Sequence, residues 1–201
     1  LDHPHERGGS RMHYNFPRVG GVKRDIPVGF ADRARAKIKL FENRINEYEM
    51  MLDESTIWLV RLQGVGYAQA EDMVNAGVSG PNVRAAGVNY DVRWAHPYSV
   101  YDQVDWEPAV EKPTSIKGAD CYDRYRVRME EMRQSCRMVL DALEKIPGGA
   151  NTHYNPGDEM ILKKAPTRAP EGATGFSNYE CTRGASQFYI QGGGEGRGKY
   201  P

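Results

Sequence analysis

Apolar positions fall at Ala34, Ile38, Phe41, Ile45, Tyr48 and Leu52, in alternating steps of four and three. That rhythm keeps one face of a helix apolar and predicts an amphipathic helix over roughly residues 31 to 52. A second, more regular stripe runs through "DCYDRYRVRMEEMRQSCRMVLDALEKI": Tyr122, Tyr125, Met129, Met132, Cys136, Val139, Leu143 and Ile146. Charges fill the remaining positions, so one side is expected to be buried and the other wet. About 27 residues at 1.5 Å each make a helix roughly 40 Å long. Pro147-Gly148-Gly149 ends it, because proline removes a helix donor and crowds the preceding turn.

The pattern between the two long helices is choppier. Asp53 and Ser55 break the first helix, and "TIWLVRLQGVG" reads as a short apolar strand or buried segment ending at Gly64 and Gly66. "AQAEDMVNAG" reads as a short helix closed by Gly77, where a left-handed residue costs glycine little. In "SGPNVRAAG", Ser79 suits a cap, Pro81 the first turn and Gly87 the end. From Val88 to Pro113 the aromatics Tyr90, Trp94, Tyr98, Tyr101 and Trp106 follow no period, so an extended segment wrapped over another surface is expected. Near the end, "FSNYECTRG" and "SQFYIQGG" read as two strands joined by a turn, and "GGGEGRGKYP" as a loose tail.

These elements predict a mainly α chain with a small β element, an α+β class built on a helical bundle. The expected divisions are a loop and turn segment over 1–30, a helical core over 31–150, and an irregular segment with a β hairpin over 151–201, a truncated domain.

Composition narrows the chemistry. The 201 residues are 39% hydrophobic and 27% charged, which predicts a modest core and some apolar surface left for a partner chain to cover. Lys plus Arg equals Asp plus Glu at 27 each, so no global field favours nucleic acid or an anionic membrane. No apolar run is long enough to span a bilayer, and "LDHPHERGG" lacks the apolar core of a signal peptide, so a reducing, cytosolic setting is the expectation. Cys121, Cys136 and Cys181 form no CxxC pair; each reads as a small apolar residue or a quiet thiol, and no metal is expected on this chain alone.

The usual catalytic patterns are missing too. "QGVGYAQAEDM" has two glycines after a possible strand but no third glycine and no Lys-Ser/Thr, so a tight turn is the plainer reading. "GGGEGRG" has no helix behind it and reads as a linker. His3, His5, His96 and His153 pair with no second ligand, and no GxSxG appears. Carboxylates on the helix faces read as solvated partners of Lys and Arg. A self-contained hydrolase or metalloenzyme is not expected.

Four blocks, taken in order, carry a resemblance: "RMHYNFPRVGGVKRDIPVGF", "RLQGVGYAQAEDMVNAGVSGPNVRAAGVNYDVR", "PYSVYDQVDW" and "DCYDRYRVRMEEMRQSCRMVLDAL". Together they resemble the large quinone-site subunit of the complex I-type oxidoreductases, which include the NADH–quinone oxidoreductases and their deazaflavin-dependent archaeal relatives. The resemblance covers roughly residues 9 to 146, and "GFSNYECTRGASQFYIQGG" is similar to the family's later Arg-Gly strand pair. It implies a helical fold related to nickel–iron hydrogenase large subunits, without their metal site, since their two CxxC pairs are missing here. It also implies an enzyme only as part of a multi-subunit translocase driven by NAD(P)H or a deazaflavin. In such a complex, electrons leave the terminal 4Fe-4S cluster of a small iron–sulfur partner for a quinone-type acceptor held at the interface. Other peripheral-arm subunits and a membrane-arm subunit where quinone enters are implied partners, and nucleic acid is not. The implied location is peripheral, on the cytoplasmic face of the cell membrane or the matrix face of a mitochondrial inner membrane.

Residue by residue, His13 of "RMH" is implied to face the partner's cluster as a redox-linked proton site. Arg11 would add fixed positive charge beside it. Arg18 and Met12 are assigned to the quinone interface and Arg61 and Arg84 to a partner surface, with a structural pairing role for the last two left open. Val19 stands where a proline is common in the family. The stretch carrying the family's quinone-head histidine and tyrosine has no counterpart, so the chain is expected to be a fragment, a shortened subunit or a split one. Two rival readings follow: a scaffold that only holds such a complex together, and a membrane-bound hydrogenase relative.

Overall fold

The computed structural model describes residues 17–18, 21–22, 29–146 and 171–193. Ten elements follow in chain order: β1 (Pro17–Arg18), β2 (Gly21–Val22), α1 (Phe30–Asp53), α2 (Thr56–Leu62), α3 (Ala70–Asn75), α4 (Pro81–Ala85), α5 (Val92–Ala95), α6 (Cys121–Lys145), β3 (Thr174–Cys181) and β4 (Gly184–Gln191). Two antiparallel pairs, β1 with β2 and β3 with β4, make up the sheet content among the described residues. The class is therefore α+β, as the hydrophobic pattern predicts. The chain divides into two compact units. One takes in Leu1–Ala36, Glu144–Gly175 and Ile190–Pro201; the other takes in Lys37–Leu143 and Phe176–Tyr189. Among the described residues no helix is long and apolar enough to cross a membrane.

In the second unit, α1 and α6 form one apolar contact. Fully buried Ile45 packs with Met129 and Cys136, and half-buried Ile38, Tyr125 and Met132 close around them. Every one of these lies on the two predicted stripes. A second core lies around α3 and α4, where Met73, Val83, Ala85, Ala86 and Ala119 gather on Val127 of α6. Residues 127 and 129 are about 200° apart around a helix, so α6 is packed on two nearly opposite sides. The single stripe with a wet reverse is corrected in this respect, and Val139, assigned to the buried side, is exposed.

The start of α6 is fixed by a reciprocal cap. Asp120 accepts from the backbone of Asp123 at 3.0 Å, and Asp123 accepts in turn from the backbone of Asp120 at 3.2 Å. This capping box satisfies two donors that a helix end leaves bare. Asp120 also accepts from Gly64 N–H at 2.8 Å, and Asp123 from Thr114 N–H at 3.2 Å.

Three local expectations change. "TIWLVRL" is helix rather than strand, started by the Ser55 hydroxyl accepting from Trp58 N–H at 3.4 Å. Its β-branched Ile57 and Val60 are 70% and 71% exposed, while Trp58, Leu59 and Leu62 turn inward. A short apolar run looks alike in strand and helix, and here the inward positions keep helical spacing. Gly80, not Ser79, occupies the cap of α4; the Ser79 hydroxyl instead accepts from Ala185 N–H at 2.9 Å. Within the aromatic stretch, Asp91 caps the four-residue helix α5 by accepting from Arg93 N–H at 2.9 Å.

At one place the backbones themselves touch. Gly80, at φ +74°, meets Gly184, at φ +135°, so closely that a β-carbon on Gly80 would overlap the Gly184 backbone. Both conformations suit glycine and strain other residues. The turn of the β3–β4 hairpin is thereby seated on the loop that opens α4.

Candidate functional site

Of the six residues singled out in the sequence, Arg11, Met12 and His13 lie outside the described residues. Arg18 is placed by its backbone in β1, where its register partner is Gly21. Arg61 stands in the last turn of α2 and is exposed. Arg84 is the one the structure develops. It does not reach a surface: it is 2% exposed, and the interface assignment gives way to the internal pairing role.

Arg84 sits on α4, five residues long with Pro81 at its start, so its guanidinium is presented from a short, rigid turn. Its Nε donates to Glu131 of α6 at 3.0 Å. Its Nη1 donates to Glu180 of β3 at 2.9 Å and to the Tyr90 carbonyl at 3.0 Å, and it lies 3.1 Å from Asp91. The Asp91 side chain is 0% and that of Glu180 3% exposed. One guanidinium thus ties α4, α6, β3 and the loop before α5.

Arg93 completes the group from the other side of Asp91. Its Nε and Nη2 grip the two Asp91 oxygens at 2.9 and 2.7 Å. Burial lowers the Arg93 pKa, but the hydrogen bond and the charge of Asp91 outweigh it, and the net shift is upward. The second Glu180 oxygen accepts from Val92 N–H at 3.2 Å, and the Tyr98 hydroxyl accepts from Glu180 N–H at 3.2 Å. Burial is the main cause that pushes the Tyr98 pKa up. Two guanidinia against three carboxylates leave one negative charge in excess, and Glu131, the least buried of the three, keeps some contact with water. Such a group does not add much net stability over an apolar core, because desolvation offsets attraction; it does make any other arrangement of the same elements costly.

The carboxylates Asp91, Glu131 and Glu180 are what sequence reasoning missed. Taking helix-face acids as solvated holds for many surface pairs but fails at Glu131 and at Asp123, which is fully buried. The local signal was available for Asp91, two residues before Arg93 in "NYDVR". It was not available for the partners 47 and 96 residues from Arg84.

Among the described residues of the second unit, two cavities lie near these elements. An apolar groove of about 570 Å³ runs between α3, α4 and β4, lined by Val74, Val78, Val83, Val88, Tyr90 and Gln187 among others. A smaller one of about 220 Å³ lies beside α5, between Trp94, Tyr101 and Trp106. Neither Arg61 nor Arg84 lines them. Cys121, Cys136 and Cys181 are free thiols, and among the described residues no group of three or more His, Cys, Asp or Glu is placed to hold a metal ion.

Comparison with known proteins sets this geometry in a family. Residues 1–200 match the model of the respiratory-chain NADH dehydrogenase, 49 Kd subunit. One of the NADH-quinone oxidoreductase subunits of Rhizobium etli is 43% identical over 141 residues, 70% of this chain and 34% of that protein. An NADH-quinone oxidoreductase subunit of Syntrophobacter fumaroxidans is 40% identical over 184 residues, 90% of this chain and 45% of that protein. An NAD(P)H-quinone oxidoreductase subunit of a Synechococcus strain is 36% identical over 194 residues, 89% of this chain and 48% of that protein. The chain spans between a third and a half of the length of these curated relatives.

Proposed function

Because the chain belongs to the respiratory-chain NADH dehydrogenase 49 Kd subunit family, we propose that it serves in the peripheral arm of a membrane-bound oxidoreductase that reduces a quinone-type acceptor. It acts only within that complex. Its partner is a small iron–sulfur subunit, with further arm subunits and a membrane-arm subunit beside it. The location is peripheral, on the cytoplasmic face of the membrane, and turnover is coupled to ion translocation. The helical core shares its ancestry with nickel–iron hydrogenase large subunits. The observation that carries this reading is the unbroken family match over residues 1–200, with curated relatives named as quinone oxidoreductase subunits.

A 4Fe-4S cluster supplies one-electron transfer when it is held by the partner, which suits a chain without a cluster-ligand pattern. The work of this chain's residues is electrostatic. An ordinary imidazole titrates near pH 6.5, so His13 can take up a proton at a ring nitrogen when negative charge arrives nearby. Arg11 keeps a fixed positive charge beside it. Arg18 and Met12 flank the quinone path, and Arg61 offers an exposed cation for subunit contact.

The test is an EPR redox titration of the terminal cluster in the intact complex at several pH values, wild type against His13→Ala. A proton-linked site makes the midpoint fall with rising pH by up to about 59 mV per unit, and His13→Ala flattens that slope. Equal slopes would make His13 structural, and the case for the chain as more than a scaffold would then rest on the quinone-head segment. Nickel in the purified complex would point instead to the hydrogenase relative.

A further inference from the structure

The smaller cavity carries an inference that is independent of the electron-transfer reading. Its walls are the rings of Trp94, Tyr101 and Trp106, with Asp102 at its lining. Trp94 keeps 51% of its surface exposed. Arg93 already stacks on two of the rings, 4.7 Å from Trp106 and 5.7 Å from Tyr101. Its charge is already matched, because Asp91 holds it through both carboxylate oxygens. The rings are also braced: Tyr101 and Tyr98 meet edge to face at 5.1 Å, and the Trp106 indole N–H donates to the Tyr101 carbonyl at 3.4 Å.

The charge around the opening is mainly negative: Arg93 is the cation on its lining, and Asp91 already matches it. From Pro97 to Glu111 the chain carries Asp102, Asp105, Glu107 and Glu111 and no Lys or Arg. Glu111 is paired with Arg126 at 2.9 Å. Asp102, Asp105 and Glu107 are exposed, and no ion pair engages them among the described residues. Aromatic faces attract a cation through their quadrupole, and unscreened carboxylates add to that attraction over several ångströms.

We propose that this pocket receives a lysine or arginine side chain of a partner polypeptide. The cation stacks on the open Trp94 face and pairs with Asp102, while Asp105 and Glu107 draw in the basic segment around it. A cavity of about 220 Å³ suits one side chain rather than a folded surface. Arg93 serves as a positioning residue that holds the Trp106 and Tyr101 rings in place.

The experiment titrates the 201-residue chain with a blocked tri-arginine peptide and, separately, a blocked tri-glutamate peptide. Tryptophan fluorescence and the indole N–H resonances are followed at two salt concentrations. Saturable binding of tri-arginine is expected, weakening with salt, with no response to tri-glutamate. Asp102→Asn and Trp94→Ala, both at exposed positions, should each weaken it roughly two- to fivefold, with unchanged circular dichroism. Binding of tri-glutamate instead would overturn the proposal by giving the pocket to Arg93 as an anion site. So would no saturation with either peptide, or variants that bind tri-arginine as well as the wild type. The His13→Ala outcome in the intact complex bears on none of these results.

Discussion

On one side of α6, Met129 and Cys136 close on Ile45 in an apolar contact, edged by the Arg133–Glu49 ion pair and the Tyr122–Asp53 hydrogen bond. On the other, Asp123 is buried and Glu131 reaches Arg84, so that side is held by charge and hydrogen bonds beside a small core at Val127. The apolar side tolerates sliding by small amounts, because dispersion is non-directional. The polar side does not, because both Asp123 oxygens and Oε1 of Glu131 accept from fixed donors. The helix takes much of its adhesion from the first contact and its register from the second.

The largest break in this comparison is Arg84→Met. It leaves Glu180 buried without its cation and Asp91 with Arg93 alone, and is expected to lower the unfolding free energy by about 3–5 kcal/mol in urea denaturation. A loss under about 1 kcal/mol would mean the carboxylates escape to water. Ile45→Ala attacks the opposite side and should cost about 3 kcal/mol by emptying a fully buried site. The two sites share no contact, so the double variant should come close to the sum; a clear shortfall would show that one side is already loose. Asp120→Ala should cost about 1 kcal/mol, measured the same way, by uncapping α6.

A subtler probe lies at Tyr125, pushed up to about 12 first by burial and then by the charges of Asp53 and Glu49. The folded state keeps this proton longer than the unfolded state does. Stability is therefore whole below the ordinary tyrosine range near 10 and declines as pH rises towards about 12. Ultraviolet difference titration should find late-ionising tyrosines, since Tyr98 and Tyr122 are also pushed up, and Tyr125→Phe should remove the latest of them. The smallest effect concerns Cys136, whose thiol burial pushes up. It should alkylate more slowly than Cys121 or Cys181, with no change in fold.

The sequence made the apolar side of α6 readable and hid the polar one. Ile45, Met129 and Cys136 announce themselves by spacing, since a 3.6-residue period is a local property of the chain. Arg84 finds Glu180 across 96 positions, and nothing local marks either residue as buried; the resemblance assigns Arg84 to a partner surface with a pairing role open, and Glu180 carries no signal of its own. The helix α2 was misread for a related reason: Ile57 and Val60 look like core residues but are exposed, so the run's apolar character was mistaken for its burial. The hairpin was legible through its turn residues. The triplet Arg11, Met12 and His13 was recognised by motif resemblance alone, and its geometry lies outside the described residues.

The meeting of Gly80 with Gly184 has a consequence for how the hairpin finds its seat. Moving the turn by one residue in either direction would bring Arg183 or Ala185 opposite Gly80, and each carries a β-carbon where the gap admits only hydrogen. The pair therefore works as a key and keyway cut to the width of a bare backbone. It accepts one alignment of the hairpin and rejects its neighbours, and that same alignment brings Glu180 to Arg84, so shape and charge select one register together.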